Sequence, residues 1–178
     1  APGPFLLYLS RIEHPGKNHV ALIRAFDAMK ARTGLPHHLV LAGSDRERAD
    51  EVHAAAETAH FHNDIHFPGF VASEDVPDLY RAAELLVFPS LYEGFGLPLV
   101  EAMATGHPVA AAAVASIPEV VGDAAHLFDP HDEGAIADAM EKLLTDPAAH
   151  GLARERGLAR AQSFGWDHAA RTTLDVFR

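Results

Sequence analysis

Short apolar runs alternate with longer segments of helical periodicity along the chain. Six of these runs have the length of strands, and they lie at positions 5–9, 38–42, 65–69, 85–89, 109–114 and 125–128. Between the first two, residues 18–32 place Leu22, Ile23, Phe26 and Met29 on one helical face. This alternation predicts an α/β fold, namely a Rossmann-like, doubly wound parallel sheet of about six strands with helices on both faces.

The other helices are predicted from the same periodicity and from capping residues. They lie at 45–60, at 73–83, from Pro98 onward, at 133–144, from Pro147 onward, and over the last residues to Arg178. Ser73 and Asp167 are expected to cap their helices, and Pro77 is expected to interrupt the helix that Ser73 begins. A helical C-terminal tail therefore follows the sheet, and residues 1–178 are predicted to form a single domain.

Composition and charge exclude several classes of function. The 178 residues include 25 acidic and 14 basic side chains, a formal net charge of −11, which opposes broad contact with nucleic acid. No apolar run approaches the roughly 20 residues of a membrane-spanning helix. The chain lacks cysteine, which removes thiol chemistry and slightly favours a cytoplasmic location. Residues 1–4 are expected to be the end of a linker and not a signal peptide, which suggests a longer protein.

Two glutamates bracket a glycine-rich turn in the segment 92–101, Tyr-Glu-Gly-Phe-Gly-Leu-Pro-Leu-Val-Glu. Pro98 suits the first turn of a helix, so Glu93 should precede that helix and Glu101 should lie within it. Gly94 and Gly96 leave backbone N–H groups open to an anion at the positive end of the helix dipole. The two carboxylates can accept hydrogen bonds from hydroxyl groups of the same ligand.

A second polar group follows the first predicted strand. Lys17 stands at a helix start, where a cation is unfavourable unless an anion is near, and Arg11 offers a planar donor fork. Because the carboxyl ends of parallel strands share one edge of the sheet, this group is expected beside the glutamate segment, and together they predict a nucleotide-sugar site. The alternatives are a solvated loop paired with Glu13 and an ordinary turn with exposed glutamates. The turn 116–119 reaches the same edge but is better explained as a simple helix start.

Other ligand-binding motifs are absent, because each lacks residues that it requires. Leu99 stands where a dinucleotide fingerprint needs its third glycine, and Lys17 lacks the flanking residues of a P-loop. No Asp-x-Asp occurs, and the histidine pairs 37–38 and 62 with 66 lack carboxylates arranged for a metal. Neither a cofactor nor a metal is therefore expected.

Taken together, these residues resemble the C-terminal, donor-binding half of a retaining GT-B glycosyltransferase with the Glu-x7-Glu motif (glycosyltransferase family 4, glycosyl transferases group 1). The similarity covers nearly the whole chain, through Arg11 with Lys17, Ala42-Gly43, Gly69-Phe70-Val71, Pro89-Ser90, and the segments 93–98, 101–104, 106–109, 118–122 and 164–166. Ser10 and Ala115-Ser116 replace glycines that are common in the family, which puts the width of the pocket in question more than its existence.

The resemblance implies a role for each residue in binding a nucleoside-diphosphate sugar. Arg11 and Lys17 would hold the diphosphate and, with Glu93, form the catalytic set. Glu93 would accept hydrogen bonds from the donor sugar, and Glu101 from the ribose. The remaining donor contacts would be the amides of Gly94, Phe95 and Gly96 at the sugar and distal phosphate, Leu97 beside the diphosphate, and Phe70 and Val71 near the base.

The resemblance also implies what lies outside these residues. A GT-B enzyme reacts between two domains, so an N-terminal acceptor domain is expected, with a saccharide or a lipid-linked acceptor. Transfer of a hexose would retain the anomeric configuration, need no metal and occur in the cytoplasm, either in solution or at the inner face of the membrane. The isolated domain is expected to be inactive. A nucleotide-sugar epimerase of the same architecture and a non-catalytic nucleotide-sugar-binding module remain alternatives.

Overall fold

A parallel sheet of six strands forms the centre of the fold. The computed structural model describes residues 3–177, without the side chain of residue 168. In chain order the strands are β1 (Phe5–Leu9), β2 (His38–Ala42), β3 (Ile65–Gly69), β4 (Leu85–Phe88), β5 (Val109–Ala112) and β6 (His126–Phe128). They lie side by side in the order β3-β2-β1-β4-β5-β6, which is the doubly wound, Rossmann-like sheet that the sequence predicts.

The middle of the sheet is buried on both faces. β1 pairs with β2 over its full length and with β4 through Leu6 and Leu7. Leu6, Leu7 and Tyr8 are fully buried, and every residue of β4 and β5 is buried as well. Strands covered on both sides need no polar face, and this explains why they read as continuous apolar runs in the sequence.

Helices cover both faces of the sheet. They are α1 (His19–Thr33), α2 (Ala49–Thr58), α3 (Val76–Ala82), α4 (Leu97–Ala104), α5 (Ile117–Val121), α6 (Glu133–Thr145), α7 (Pro147–Ala161) and α8 (Trp166–Val176). Right-handed crossovers place α1 and α2 on one face and α4 and α5 on the other, because the strand order reverses after β3. α1 packs against α2 and α6, and α4 packs against α5 and α7. Within residues 3–177, no helix is long and apolar enough to cross a membrane.

The start of α3 differs from the sequence prediction. The helix begins at Val76 behind Asp75, and Ser73 does not cap it. Pro77 lies in the first turn, where its missing N–H removes no intrahelical hydrogen bond. Pro77 therefore opens this helix instead of interrupting it.

Two other helix starts also differ. α2 begins at Ala49 and not at residue 45, because the Ile12 N–H donates to the Ser44 carbonyl (3.0 Å) and the Arg46 N–H donates to the Ile12 carbonyl (2.8 Å). These bonds continue the sheet pairing beyond β1. α8 begins at Trp166, so Asp167 lies inside the first turn and does not cap it. The predicted end at residue 178 falls outside the described residues.

Candidate functional site

Two loops meet at the carboxyl edge of the sheet, where the strand order reverses. The β1–α1 loop (residues 10–18) carries Arg11 and Lys17, and the β4–α4 loop (residues 89–96) carries Glu93. The Leu91 N–H donates to the Gly16 carbonyl at 3.0 Å, which ties the loops together. The side chain of Asn18 adds hydrogen bonds to the carbonyls of residues 89 and 130, at 3.2 and 2.8 Å. In open α/β sheets such a crevice is the usual place for a ligand.

Tyr8 supports both loops from below. Its hydroxyl, fully buried at the end of β1, donates to the Lys17 carbonyl at 2.9 Å and lies 2.8 Å from the Ser90 hydroxyl. Burial raises the pKa of Tyr8, so this hydroxyl stays neutral. The two loops on either side of the crevice are therefore joined to the same buried side chain, one through its backbone and the other through the Ser90 hydroxyl.

Lys17 and Glu93 are in direct contact across the crevice. The Lys17 Nζ donates to Glu93 Oε1 at 2.5 Å, and each side chain is only 15% exposed. The Glu93 carbonyl accepts a hydrogen bond from the Ser116 hydroxyl at 2.9 Å. The turn at 116–119, predicted to be a simple helix start, thus holds the glutamate in place.

Arg11 lies on the rim of the same crevice. Its side chain is 62% exposed, and its guanidinium is 3.3 Å from Glu13. This is the pairing that the solvated-loop alternative predicts, but at such exposure it contributes little to stability. The guanidinium is therefore open to a stronger anionic partner.

The start of α4 has the open backbone that the sequence predicts. Gly96 adopts a left-handed conformation (φ 88°), and a Cβ there would lie 2.8 Å from the Leu99 side chain. A Cβ at Gly94 would meet no atom within 4 Å, so the approach to the loop is clear. Pro98, which has no N–H, lies in the first turn of α4, and the positive end of the dipole of this helix lies at the crevice.

Glu101 lies within α4, as predicted. Its Oε2 accepts a hydrogen bond from the Tyr80 hydroxyl at 2.8 Å. Burial raises the pKa of Tyr80, and the neighbouring Glu101 carboxylate raises it further. Tyr80 therefore remains a donor that orients Glu101 from the interior.

The predicted apolar contacts lie farther out. Phe70 is 75% exposed at the end of β3, followed by the half-buried Val71, and β2 separates this strand from β1. Leu97 is 55% exposed at the start of α4. Phe95 is 43% exposed, and its ring packs edge to face on Phe164 with centroids 5.8 Å apart. All four thus reach the carboxyl edge of the sheet, with β3 at its far side.

Residues that shape the loops from inside were not predicted from the sequence. His19 is buried, with its ring nitrogens 3.2 Å from the Ser10 hydroxyl and 3.2 Å from the Glu13 carbonyl. Burial, together with the positive charge of the nearby Lys17, lowers the pKa of His19 to about 4. Asn18 precedes α1 in a left-handed conformation (φ 59°), which asparagine tolerates better than most residues. An asparagine after Pro-Gly-Lys was the available signal.

Gly43 brings the end of β2 against the β1–α1 loop. Its φ is 148°, and a Cβ there would lie 1.8 Å from the Ser10 carbonyl oxygen. Only glycine allows this approach. In the sequence, Ala42-Gly43 was only part of the family resemblance. The structure shows that glycine is required at position 43 for steric reasons.

The histidine pairs considered for metal binding have other partners. His38 Nδ1 is 3.0 Å from His66 Nε2 and 3.4 Å from Asp64, which also pairs with Lys30. Among the residues that the structure describes, no group of three or more His, Asp or Glu side chains is arranged to hold a metal ion.

Comparison with known proteins agrees with this architecture. The family model described as glycosyl transferases group 1 matches residues 2–160. O-antigen chain mannosyltransferase B of Escherichia coli is 37% identical over 174 residues, which are 98% of this chain and 45% of that protein. Sucrose-phosphate synthase from Thermosynechococcus elongatus superposes with a TM-score of 0.86 at 30% identity, over 98% of this chain and 45% of that one.

A further solved relative contains ligands of the expected class. HepE from Anabaena, solved in complex with UDP-glucose, superposes with a TM-score of 0.79 at 26% identity, over 89% of this chain and 44% of that one. The chain thus spans less than half the length of the relatives named here. On the family match over residues 2–160, the chain belongs to the glycosyl transferases group 1 family, and its sheet has the Rossmann-like architecture of one half of a GT-B fold.

Proposed function

We propose that this domain binds a nucleoside-diphosphate hexose for a transferase that retains the anomeric configuration. The observation that carries the proposal is the meeting of the Lys17 ammonium and the Glu93 carboxylate in front of the α4 N-terminus. A diphosphate needs cations and open amides, whereas a sugar needs hydrogen-bond acceptors. In this domain the groups suited to the diphosphate and the acceptors suited to the sugar face the same crevice.

The relatives support the choice of ligand class. HepE was solved with UDP and glucose and with UDP-glucose, and the relative from E. coli is named a mannosyltransferase. A hexose donor carried by a nucleoside diphosphate fits both. Because the relatives named are transferases and synthases, a nucleotide-sugar epimerase is not favoured.

In this proposal, side chains of this domain stabilise the leaving diphosphate. As the bond from the anomeric carbon to the diphosphate breaks, negative charge grows on the leaving phosphate, and Lys17 with Arg11 stabilises it. These two cations would stabilise the charge that a metal ion stabilises in other enzymes. Glu93 would hold the sugar hydroxyls, Glu101 the ribose, and Phe70 with Val71 would contact the base.

The acceptor would come from another domain. We propose an N-terminal partner that binds a saccharide or a lipid-linked acceptor and closes over this crevice, with transfer in the cytoplasm or at the inner membrane face. The anomeric configuration of a product made by the full enzyme, read by NMR, distinguishes retention from inversion.

Binding calorimetry tests the donor site directly. UDP-glucose, GDP-mannose and ADP-glucose are titrated into the chain with and without EDTA, and we expect one of them to bind in both conditions. Lys17→Ala should weaken that binding about ten- to a hundredfold, because it removes a charge-assisted contact. Arg11→Ala should weaken it less, since Arg11 is mostly exposed. The control Lys142→Ala, exposed on α6, should have no effect. Failure of all three sugars to bind would contradict the proposal.

A further inference from the structure

The contact between Lys17 and Glu93 has a consequence for which ligands the crevice prefers. We propose that Glu93 determines specificity by weakening the binding of sugar-free nucleoside diphosphate relative to the nucleotide sugar. The inference rests on the proposed donor site and concerns the balance between substrate and product within it.

The ion pair cannot easily open. Lys17 and Glu93 are each only 15% exposed, so the charges are poorly screened by water and act strongly on one another. The backbone of Lys17 is held by the Tyr8 hydroxyl, and that of Glu93 by the Ser116 hydroxyl. Any phosphate that contacts the Lys17 ammonium, 2.5 Å from Glu93 Oε1, therefore also lies close to the carboxylate.

The two ligands differ in the charge that they bring to this point. The terminal phosphate of a free nucleoside diphosphate is bonded only through the anhydride and carries no ester; because its second pKa is about 6, it has close to two negative charges at neutral pH. In a nucleotide sugar the same phosphate is esterified to the sugar and carries one. The free diphosphate therefore meets more repulsion from Glu93, and it brings no hexose hydroxyl groups to offset that repulsion.

The sugar changes the sign of the interaction. Hexose hydroxyls donate hydrogen bonds to a carboxylate, and such bonds are stronger than those between neutral groups. Glu93 thus attracts the donor through its sugar and repels the product that is left after transfer. This arrangement assists release of the nucleoside diphosphate.

The variant Glu93→Gln tests the proposal by opposite effects on two ligands. Glutamine has the same shape and keeps the backbone carbonyl that accepts from Ser116, but it lacks the charge. We expect the affinity for the nucleoside diphosphate to rise about three- to tenfold, because the repulsion is removed. The affinity for the nucleotide sugar should fall or stay level, since a neutral amide makes the weaker hydrogen bond. Calorimetry with UDP against UDP-glucose, and with GDP against GDP-mannose, measures both.

Glu101→Gln is the matched control. By the proposed function Glu101 binds the ribose, which both ligands contain, so the variant should weaken both in parallel and leave their ratio unchanged. Lys17→Ala should weaken both as well. Thermal melting of each variant establishes that it is folded before the titration.

The outcomes separate the two proposals. If the natural sequence binds neither UDP and UDP-glucose nor GDP and GDP-mannose, the proposed donor site is wrong. If it binds one pair but Glu93→Gln leaves the affinity for the free diphosphate unchanged or lowers it, the donor site stands and the specificity role of Glu93 is wrong. An equal rise in the affinity of Glu93→Gln for both ligands would also contradict the specificity role, because the Glu93 carboxylate would then not favour binding of the sugar.

Discussion

At the scale of a single residue, His19 links the stability of the fold to pH. Its pKa in the folded chain is about 4, chiefly because the ring is buried, against about 6.5 in the unfolded chain. The unfolded state therefore binds more protons between these values, so the free energy of unfolding rises with pH across this window. The contribution of His19 is fully present above about pH 6.5 and is lost as the pH falls to about 4.

The effect is measurable as a difference between variants. The shift corresponds to about 3 kcal/mol, so urea denaturation at pH 7.5, 6 and 4.5 should show a steeper loss for the natural sequence than for His19→Gln. Glutamine retains groups that can bond to Ser10 and to the Glu13 carbonyl. The exposed His131→Gln should keep the natural slope. Equal slopes in the natural sequence and His19→Gln would show that the pKa of His19 is the same in the folded and unfolded chains.

At the scale of elements, much of the sheet can be predicted because its strands are apolar runs with polar ends. Residues 5–9, 38–42 and 65–69 are strands with the predicted bounds. Helix starts were less predictable, since Ser73 and Asp167 are suitable capping residues that the chain does not use as caps. Where a helix begins depends on tertiary contacts, such as the pairing of Ile12 that delays α2.

The candidate site, like the helices and strands, could be predicted from the sequence only in part. Local chemistry in the sequence placed Glu93 before α4 and Glu101 within it, and topology brought Lys17 to the same edge. The ion pair between Lys17 and Glu93 joins residues 76 positions apart, and it depends on how two loops approach. Tyr8 and His19 are buried beneath the loops and read in the sequence as ordinary core positions. Periodicity does not distinguish a core residue from one that also supports a loop.

Tyr8→Phe should loosen the connection between the two loops. The ring still fills its place in the core, but the Lys17 carbonyl and the Ser90 hydroxyl lose their buried partner. We expect the free energy of unfolding to fall by roughly 1 to 3 kcal/mol, measured by urea denaturation. Donor affinity should fall as well, although Tyr8 lies below the crevice, because Lys17 loses its fixed position.

Ser90→Ala in the same background separates the two effects of Tyr8. If the hydroxyl pair acts as one unit, the double variant should be less destabilised than the sum of the single variants. Additive losses in stability would show that Tyr8 and Ser90 act independently. Unchanged donor affinity in Tyr8→Phe would show that the Lys17 side chain holds its position without the Tyr8 hydroxyl.

At the scale of the whole molecule, the crevice joins two halves of the sheet. β1 pairs with β4 through Leu6 and Leu7, the rings of Tyr8 and Phe88 pack edge to face, and the loops above continue the connection. The proposed donor would contact Lys17 in the first half and the start of α4 in the second. In a chain with a net charge of −11, a local pair of cations is then required to attract an anionic ligand.

A bridging ligand should therefore stabilise the whole chain against unfolding. With the nucleotide sugar at about a hundred times its Kd, the free energy of unfolding should rise by about 2.7 kcal/mol, which for a domain of this size raises Tm by about 5 to 10 °C. Because its affinity should be about ten- to a hundredfold weaker, Lys17→Ala should lose at least about half of this shift at the same ligand concentration. Hydrogen exchange should show added protection at 10–18 and 93–97, on both sides of the crevice. Protection confined to one of these segments would mean that the ligand binds one half alone, and the connection between the halves would then come from the protein's own loops.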